Sequence, residues 1–322
     1  MVNLPTSSGL TWTQRLPRLL RAALPALALA LILAAIFNLQ PRAQSYFGLN
    51  LLLNLSIPII FATLAQMFVL TLGDLDLSIG GFVSLVACIT VTHLATQPWL
   101  GVLMLIGCVG LYGLLGALIS WRNLPAIVVT LGMSFVWFGL AVLVLPSPGG
   151  TTPGWLTQAL RLQPPFVPLP IVVAVVSGIA IHLAFMTSAG GVVLRAAGGN
   201  AKALRQAGWS LLTIRVQLYC LSGLMGVLSG LTLTGITTSA DSNIALRYTL
   251  VSIAAAILGG CEFVGGRVSP IGAVLGALTM TLAASFLSFL RISPDWQIGV
   301  QGVILILVLG LRAGLDWWER RA

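Results

Sequence analysis

Two aspartates, Asp74 and Asp76, sit in the stretch LTLGDLDLSIGG, residues 70–81, between two apolar runs with almost no loop. Carboxylates so placed in an oily chain can couple an ion to transport, line a polar path, or cap a helix end. Asp76 and Ser78 are each placed to cap the run that follows, where the helix dipole favours a negative group. Gly73, Gly80 and Gly81 bracket them and permit a bend. The residues predict a broken helix and leave two readings open. One is a capped turn. The other is irregular backbone at membrane depth, which exists only where it is buried in protein or lines a cavity.

The other acids offer less. The chain has only seven. Asp316 and Glu319 fall in a terminal tail, Asp241 and Asp295 in loops, and Glu262 stands five residues before Arg267, placed to pair with it. The histidines, His93 and His182, are isolated near the ends of apolar runs. The cysteines, Cys88, Cys108, Cys220 and Cys261, lie in or beside such runs without metal-type spacing and read as structural thiols. No metal site and no cofactor is expected. The sequence has no G-x-x-x-x-G-K-[ST], H-E-x-x-H or G-x-S-x-G, the motifs of a phosphate loop, a zinc protease and a serine hydrolase. LSG at 221–223 opens an apolar run and is a decoy for a nucleotide-binding signature.

The elements that must hold these residues are membrane helices. Apolar residues make up 58% of the chain and charged residues 7%, against about 25% charged in a soluble domain. Such a chain cannot face water all round, and in a bilayer its backbone must be satisfied inside helices. Ten apolar runs can be marked, at about 22–39, 49–72, 77–93, 98–120, 124–145, 170–187, 215–237, 247–262, 269–291 and 298–312. The fold class is therefore an all-α polytopic membrane protein with about ten spanning or partly spanning helices. The runs 77–93, 247–262 and 298–312 are short enough to be tilted, half-spanning or re-entrant. Residues 22–39 are longer than a signal-peptide core and read as an uncleaved first helix.

Residues 188–214 form the longest polar break, with Arg195, Lys202 and Arg205, Arg215 at the far edge, and no acid. A short helix over 201–207 is expected within it, Asn200 as N-cap and Gly208 just past its end. So short a helix needs a surface to pack on. With the N-terminus in the cytoplasm, ten spans put twelve basic residues inside, Arg15, Arg18, Arg21, Arg122, Arg195, Lys202, Arg205, Arg215, Arg267, Arg312, Arg320 and Arg321. Only Arg42, Arg161, Arg247 and Arg291 fall outside. That asymmetry gives cytoplasmic termini and a cytoplasmic 188–214. It also accounts for the net charge of +9 without a nucleic-acid partner. The Pro-rich segment 146–169 falls outside, with Trp155 and Trp296 suited to the outer interface and Trp317 and Trp318 to the inner one. The expected organisation is a cytoplasmic segment 1–21, one permease domain 22–312 and a cytoplasmic tail 313–322. Small residues recur every four positions: Ser222, Gly226 and Gly230; Ser252, Ala256 and Gly260; Gly272 and Gly276. Such faces let helices approach closely in lipid, within one bundle or across a dimer.

Four stretches, in order, resemble the permease subunits of bacterial ABC importers for ribose, xylose, arabinose and related sugars. DLDLSIG at 74–80 is similar to that family's Gly-Ile-Asp-Leu-Ser-Val-Gly at Asp76, Ser78 and Gly80. LPAIVVTLG at 124–132 matches at Pro125, Thr130, Leu131 and Gly132. GGNAKALRQAG at 198–208 matches at Gly198, Gly199, Asn200, Ala203, Arg205 and Gly208. ILGGCEFVGGRVS at 257–269 matches at Gly259, Gly260, Gly265, Gly266, Arg267 and Ser269. SPDWQ at 293–297 adds a weaker match. There are departures: Thr249, Leu250 and Val251 stand where such permeases often carry Glu-Leu-Asp, Asp74 replaces a common glycine, Asp295 an aromatic and Gln301 a lysine.

The resemblance implies a non-enzymatic subunit in the bacterial inner membrane. Its partners would be a separate ABC ATPase that hydrolyses ATP, a periplasmic or extracellular solute-binding protein, and a second permease copy, identical or paralogous. Residues 200–208 become the coupling helix, with Gly198, Gly199, Asn200, Lys202, Ala203, Arg205 and Gly208 as ATPase-facing residues. Lys202 and Arg205 would meet acidic groups of the ATPase, form a solvated face or touch anionic lipid. Asp74, Asp76, Ser78, Thr130 and Thr249 are the path candidates, and Glu262 and Arg267 mark a cytoplasmic loop. The cargo class is a sugar or similar small polar solute. Nucleosides, branched-chain amino acids and a signalling molecule are alternatives, and an ion-coupled secondary transporter is the alternative from another class.

Overall fold

The computed structural model describes residues 12–293, with side chains from residue 23, and single positions between 296 and 314. The basic residues Arg15, Arg18, Arg21, Arg312, Arg320 and Arg321 and the expectations for Asp295, Gln301, Trp317, Trp318 and most of the run 298–312 therefore lie outside the described side chains.

The described residues fold into α-helices joined by tight turns. Helix α1 spans Trp12–Leu39, α2 Tyr46–Leu53 and α3 Ser56–Leu70; α4 spans Ile79–Ile89, α5 Pro98–Arg122 and α6 Ala126–Val144. Helix α7 spans Gly154–Leu160, α8 Leu169–His182, α9 Ala189–Gly199 and α10 Ala201–Gln206; α11 spans Leu211–Thr237, α12 Tyr248–Leu258 and α13 Pro270–Phe289. Serine hydroxyls start four of them. Ser45, Ser188, Ser210 and Ser269 accept from the backbone amides of Gly48, Gly191, Thr213 and Gly272, satisfying amides that have no partner inside the helix.

Among the described residues five helices are long and apolar enough to cross a membrane, and the bent pair α2 and α3, at 43°, makes a sixth. The short runs 77–93 and 247–262 are short helices. At 1.5 Å per residue, the 11 residues of α12 reach about 16 Å, roughly half a bilayer core. Two helices were not expected. Helix α9 occupies most of the stretch read as loop, because Ser188 caps it, and α7 lies inside the Pro-rich segment.

Helices α3 and α4 are the centre. Every residue of α4 is buried, and α3 is buried nearly throughout, as an all-apolar helix must be. Helix α11, 27 residues long, packs across α3, α4 and α5. Helices α5 and α6 turn apolar side chains outward, among them Ile106, Leu114, Phe135 and Leu143, as a lipid-facing surface requires. The small-residue faces are used inside the bundle. Gly226 and Gly230 lie against Phe82 and Val86 of α4, and Gly272 and Gly276 against the backbone of Gly259 and Ala255. The cysteines are free.

Candidate functional site

The break between α3 and α4 is held from five directions; Asp74, Asp76 and Ser78 lie in it, and Thr130 and Thr249 reach it from α6 and α12. Asp76 is fully buried. Its Oδ1 accepts from the Ser78 amide and the Ser78 hydroxyl, both at 2.7 Å, and its Oδ2 accepts from the Tyr112 hydroxyl at 2.7 Å. With its amide oriented to satisfy both groups, Gln66 of α3 donates to the Asp76 carbonyl at 3.1 Å and accepts from the Asp76 amide at 3.2 Å. Asp76 thus folds the break onto itself. Ser78 sits at the N-cap of α4 but makes no side-chain cap, because its hydroxyl is turned to Asp76. The expected choice between two capping residues resolves into an Asp turn with the serine as donor.

The same break is fixed from α6 and α12. Thr130 accepts from the Leu77 amide at 3.1 Å and lies 3.1 Å from the Leu75 carbonyl. Thr249 accepts from the Gly80 amide at 3.0 Å. Asp76, Ser78 and Thr130 are fully buried, so in the single chain their polar atoms face protein. Asp74 points the other way. Its carboxylate lies 3.3 Å from Arg215 Nε and 3.4 Å from Nη2, and accepts from the Tyr219 hydroxyl at 3.2 Å.

Sequence reasoning missed Gln66, Tyr112, Arg215 and Tyr219 as parts of this site. A signal was present: Gln66 is a lone amide in an apolar run, and two of only four tyrosines end here. The two tyrosines are set by reciprocal packing of α5 on α11. A Cβ at Gly116 would meet the Tyr219 side chain at 2.9 Å, and one at Gly223 would meet Tyr112 at 2.9 Å. Phe82, 4.4 Å edge-on, and Trp137, 6.0 Å stacked, hold the Tyr112 ring over the turn.

The polar loop forms a second site next to the first. Asn200 caps α10 by accepting from the Ala203 amide at 3.0 Å, and Gly208 follows at φ +84°. Both expectations for this helix hold, with its end at Gln206. Leu204 is its one buried side chain, while Lys202, Ala203 and Arg205 face out and Trp209 beyond it is 51% exposed. Arg195 is not part of that face. It donates to the Met186 sulfur and carbonyl. Gly198 is packed internally, while Gly199 is exposed. A Cβ at Gly198 would strike the Thr71 carbonyl and the Gly266 amide, and one at Gly266 would meet the Gly199 amide at 2.9 Å. The Gly266 amide donates to the Thr71 carbonyl at 2.8 Å. The base of α10, the end of α3 and the loop 259–268 are therefore one glycine-packed joint. Glu262 and Arg267 pair at 3.3 Å at the rim of that loop, with Arg267 73% exposed, a geometry worth little in water.

A membrane bundle with an interrupted central helix and a capped surface helix narrows the class, and sequence comparison settles it. Residues 48–309 match the family model described as the permease component of the branched-chain amino acid transport system. The chain belongs to this ABC permease family. A Sinorhizobium fredii protein named "Probable ABC transporter permease protein y4mJ" is 30% identical over 88% of this chain and 86% of its own. The galactose/methyl galactoside import permease protein of Escherichia coli K12 is 28% identical over 88% of this chain and 91% of its own. The autoinducer 2 import system permease protein of Escherichia coli O157:H7 is 30% identical over 82% and 79%. No solved structure matches. As an ABC permease, the chain is a multi-pass membrane protein that serves as the permease subunit of a transporter.

Proposed function

We propose that this permease forms one half of a translocation path for a sugar or similar polar solute. A separate ABC ATPase drives it, and a solute-binding protein delivers the cargo. The supporting observation is α10: a capped helix anchored by one buried leucine and offering Lys202, Ala203, Arg205 and Trp209 outward. A rigid, exposed helix suits coupling, which needs an element with two positions that both sites bias. Its joint with Thr71 and Gly266 gives ATPase movement a stiff route to the α3–α4 break. Asp74, Asp76, Ser78, Thr130 and Thr249 fix the wall of the path, and path opening moves them as a unit. With α10 docked on a cytoplasmic ATPase, α11 runs outward, the α7 segment faces outside and the termini are cytoplasmic. A second copy of the permease, identical or paralogous, supplies the other half. The domain limits 1–21, 22–312 and 313–322 follow from the same placement.

An ion-coupled transporter is the weaker reading. It would need a carboxylate open to an ion, and Asp74 and Asp76 are instead engaged by Arg215, Tyr219, Tyr112 and Ser78. The deciding experiment is co-purification with candidate ABC ATPases, using the natural chain and a variant with a Gly-Ser linker at 200–208. Capture by the natural chain alone is expected. No capture, together with solute movement down an ion gradient by the chain alone in liposomes, would overturn the proposal.

A further inference from the structure

At the end of α11 opposite α10, two cavities of about 650 and 400 Å³ share Leu51, Leu52, Ser285 and Ser288 and so form one groove. It runs between α2, the start of α12 and the end of α13. Among the described residues two guanidiniums line it, Arg42 at one end and Arg247 at the other, and no carboxylate does. Among the described residues neither arginine has an acidic partner, since the ion pairs there are Arg215 with Asp74 and Arg267 with Glu262.

Three hydroxyls of the groove are of one kind. Thr237, Thr281 and Ser285 donate to the carbonyls of Leu233, Ala277 and Thr281, at 3.0, 2.9 and 3.2 Å. Their protons are spent on backbone carbonyls, for Thr237 also that of Ser239 at 2.8 Å, so they offer lone pairs to a guest's hydroxyl groups. The arginines offer only donors. Arg247 also occupies the N-cap of α12, which has no side-chain cap. A cation there opposes the helix dipole, and an anion beside it reverses the sign.

We infer that this groove is an entry site selecting a solute with several hydroxyls and one anionic group, the chemistry of a sugar acid, over the neutral sugar. The inference rests on the permease reading above and adds the charge of the cargo. Anionic oxygen could also come from a lipid headgroup, and the test separates the two.

The chain is placed in phosphatidylcholine nanodiscs, and galacturonate and galactose are compared by saturation-transfer NMR. Galacturonate is expected to bind about tenfold more tightly, a difference of about 1.4 kcal/mol, and Arg247→Gln to remove the preference while Arg247→Lys keeps most of it. If Arg247→Gln is not monodisperse, Arg42→Gln on the exposed turn takes its place. No galacturonate signal, equal binding of the two sugars, or a preference that survives loss of both arginines overturns the inference. Phosphatidylglycerol that co-purifies through Arg247, with no galacturonate preference, overturns it in favour of a lipid contact. ATPase capture through 200–208 is independent of all these outcomes. A chain that passes that test and fails this one keeps its permease role and loses only the charged cargo.

Discussion

Replacing Asp76 separately by alanine and by asparagine measures what holds the α3–α4 break. The carboxylate accepts three hydrogen bonds, all at 2.7 Å, in a site with no exposed surface. Alanine removes every carboxylate acceptor, strands the Ser78 amide and leaves the Tyr112 hydroxyl only its longer contact with Ser78 Oγ at 3.1 Å. Hydrogen bonds to a charged group contribute about 1.5–3 kcal/mol each, and a stranded buried donor costs about 1–3 kcal/mol. These terms overlap, because Ser78 supplies two of the three bonds, and losing a buried charge returns part of its desolvation cost. A net loss of about 3–4 kcal/mol is expected. Asparagine keeps the oxygen that serves Ser78. The Tyr112 hydroxyl, 3.1 Å from Ser78 Oγ, can turn to donate there and accept from the new amide. The cost is then the loss of charge assistance, about 1 kcal/mol. Unfolding in mixed micelles titrated with sodium dodecyl sulfate reads both numbers on the purified chain. Equal losses for the two variants would refute the argument by making the charge, not the acceptors, the requirement. A loss under about 1 kcal/mol for alanine would show that the turn does not depend on Asp76.

Three further outcomes follow from the geometry. The Asp74–Arg215 pair, at 3.3 Å with both side chains mostly buried, has about 5 kcal/mol of gross attraction at an effective dielectric constant of about 20. The double-mutant cycle of Asp74→Asn and Arg215→Met isolates the pairwise attraction from either group's desolvation, and solvent screening at these part-exposed side chains should reduce the coupling to about 1–2 kcal/mol in the same titration; a coupling of zero would dismiss the pair. Gly198→Val drives a side chain into the Thr71 carbonyl and should cost about 1–3 kcal/mol, whereas Gly199→Ala, which meets nothing within 4 Å, should stay within about 0.5 kcal/mol; equal effects would contradict the joint. Lys202→Glu with Arg205→Glu should leave stability unchanged and abolish ATPase capture if the partner's groove is acidic; unchanged capture would return these residues to a solvated face.

The apolar runs and the cap of α10 were legible in the sequence, because each is a local property. Residues 49–72 are apolar enough to be helical in a bilayer whatever surrounds them, and Asn200 and Gly208 act on amides a few positions away. The broken helix was legible for the same reason, since glycines beside two aspartates in an oily run leave few other shapes. The partners of those aspartates were not. Asp74 meets Arg215 across 141 positions and Asp76 meets Tyr112 across 36, and no local pattern ties such residues together. The crossing of α5 on α11 decided them by seating each tyrosine on the other helix's glycine. The tertiary structure also divided the basic residues of the polar stretch. It turned Arg195 and Arg215 inward and left Lys202 and Arg205 outside, because direction on a helix is set by what the helix packs against.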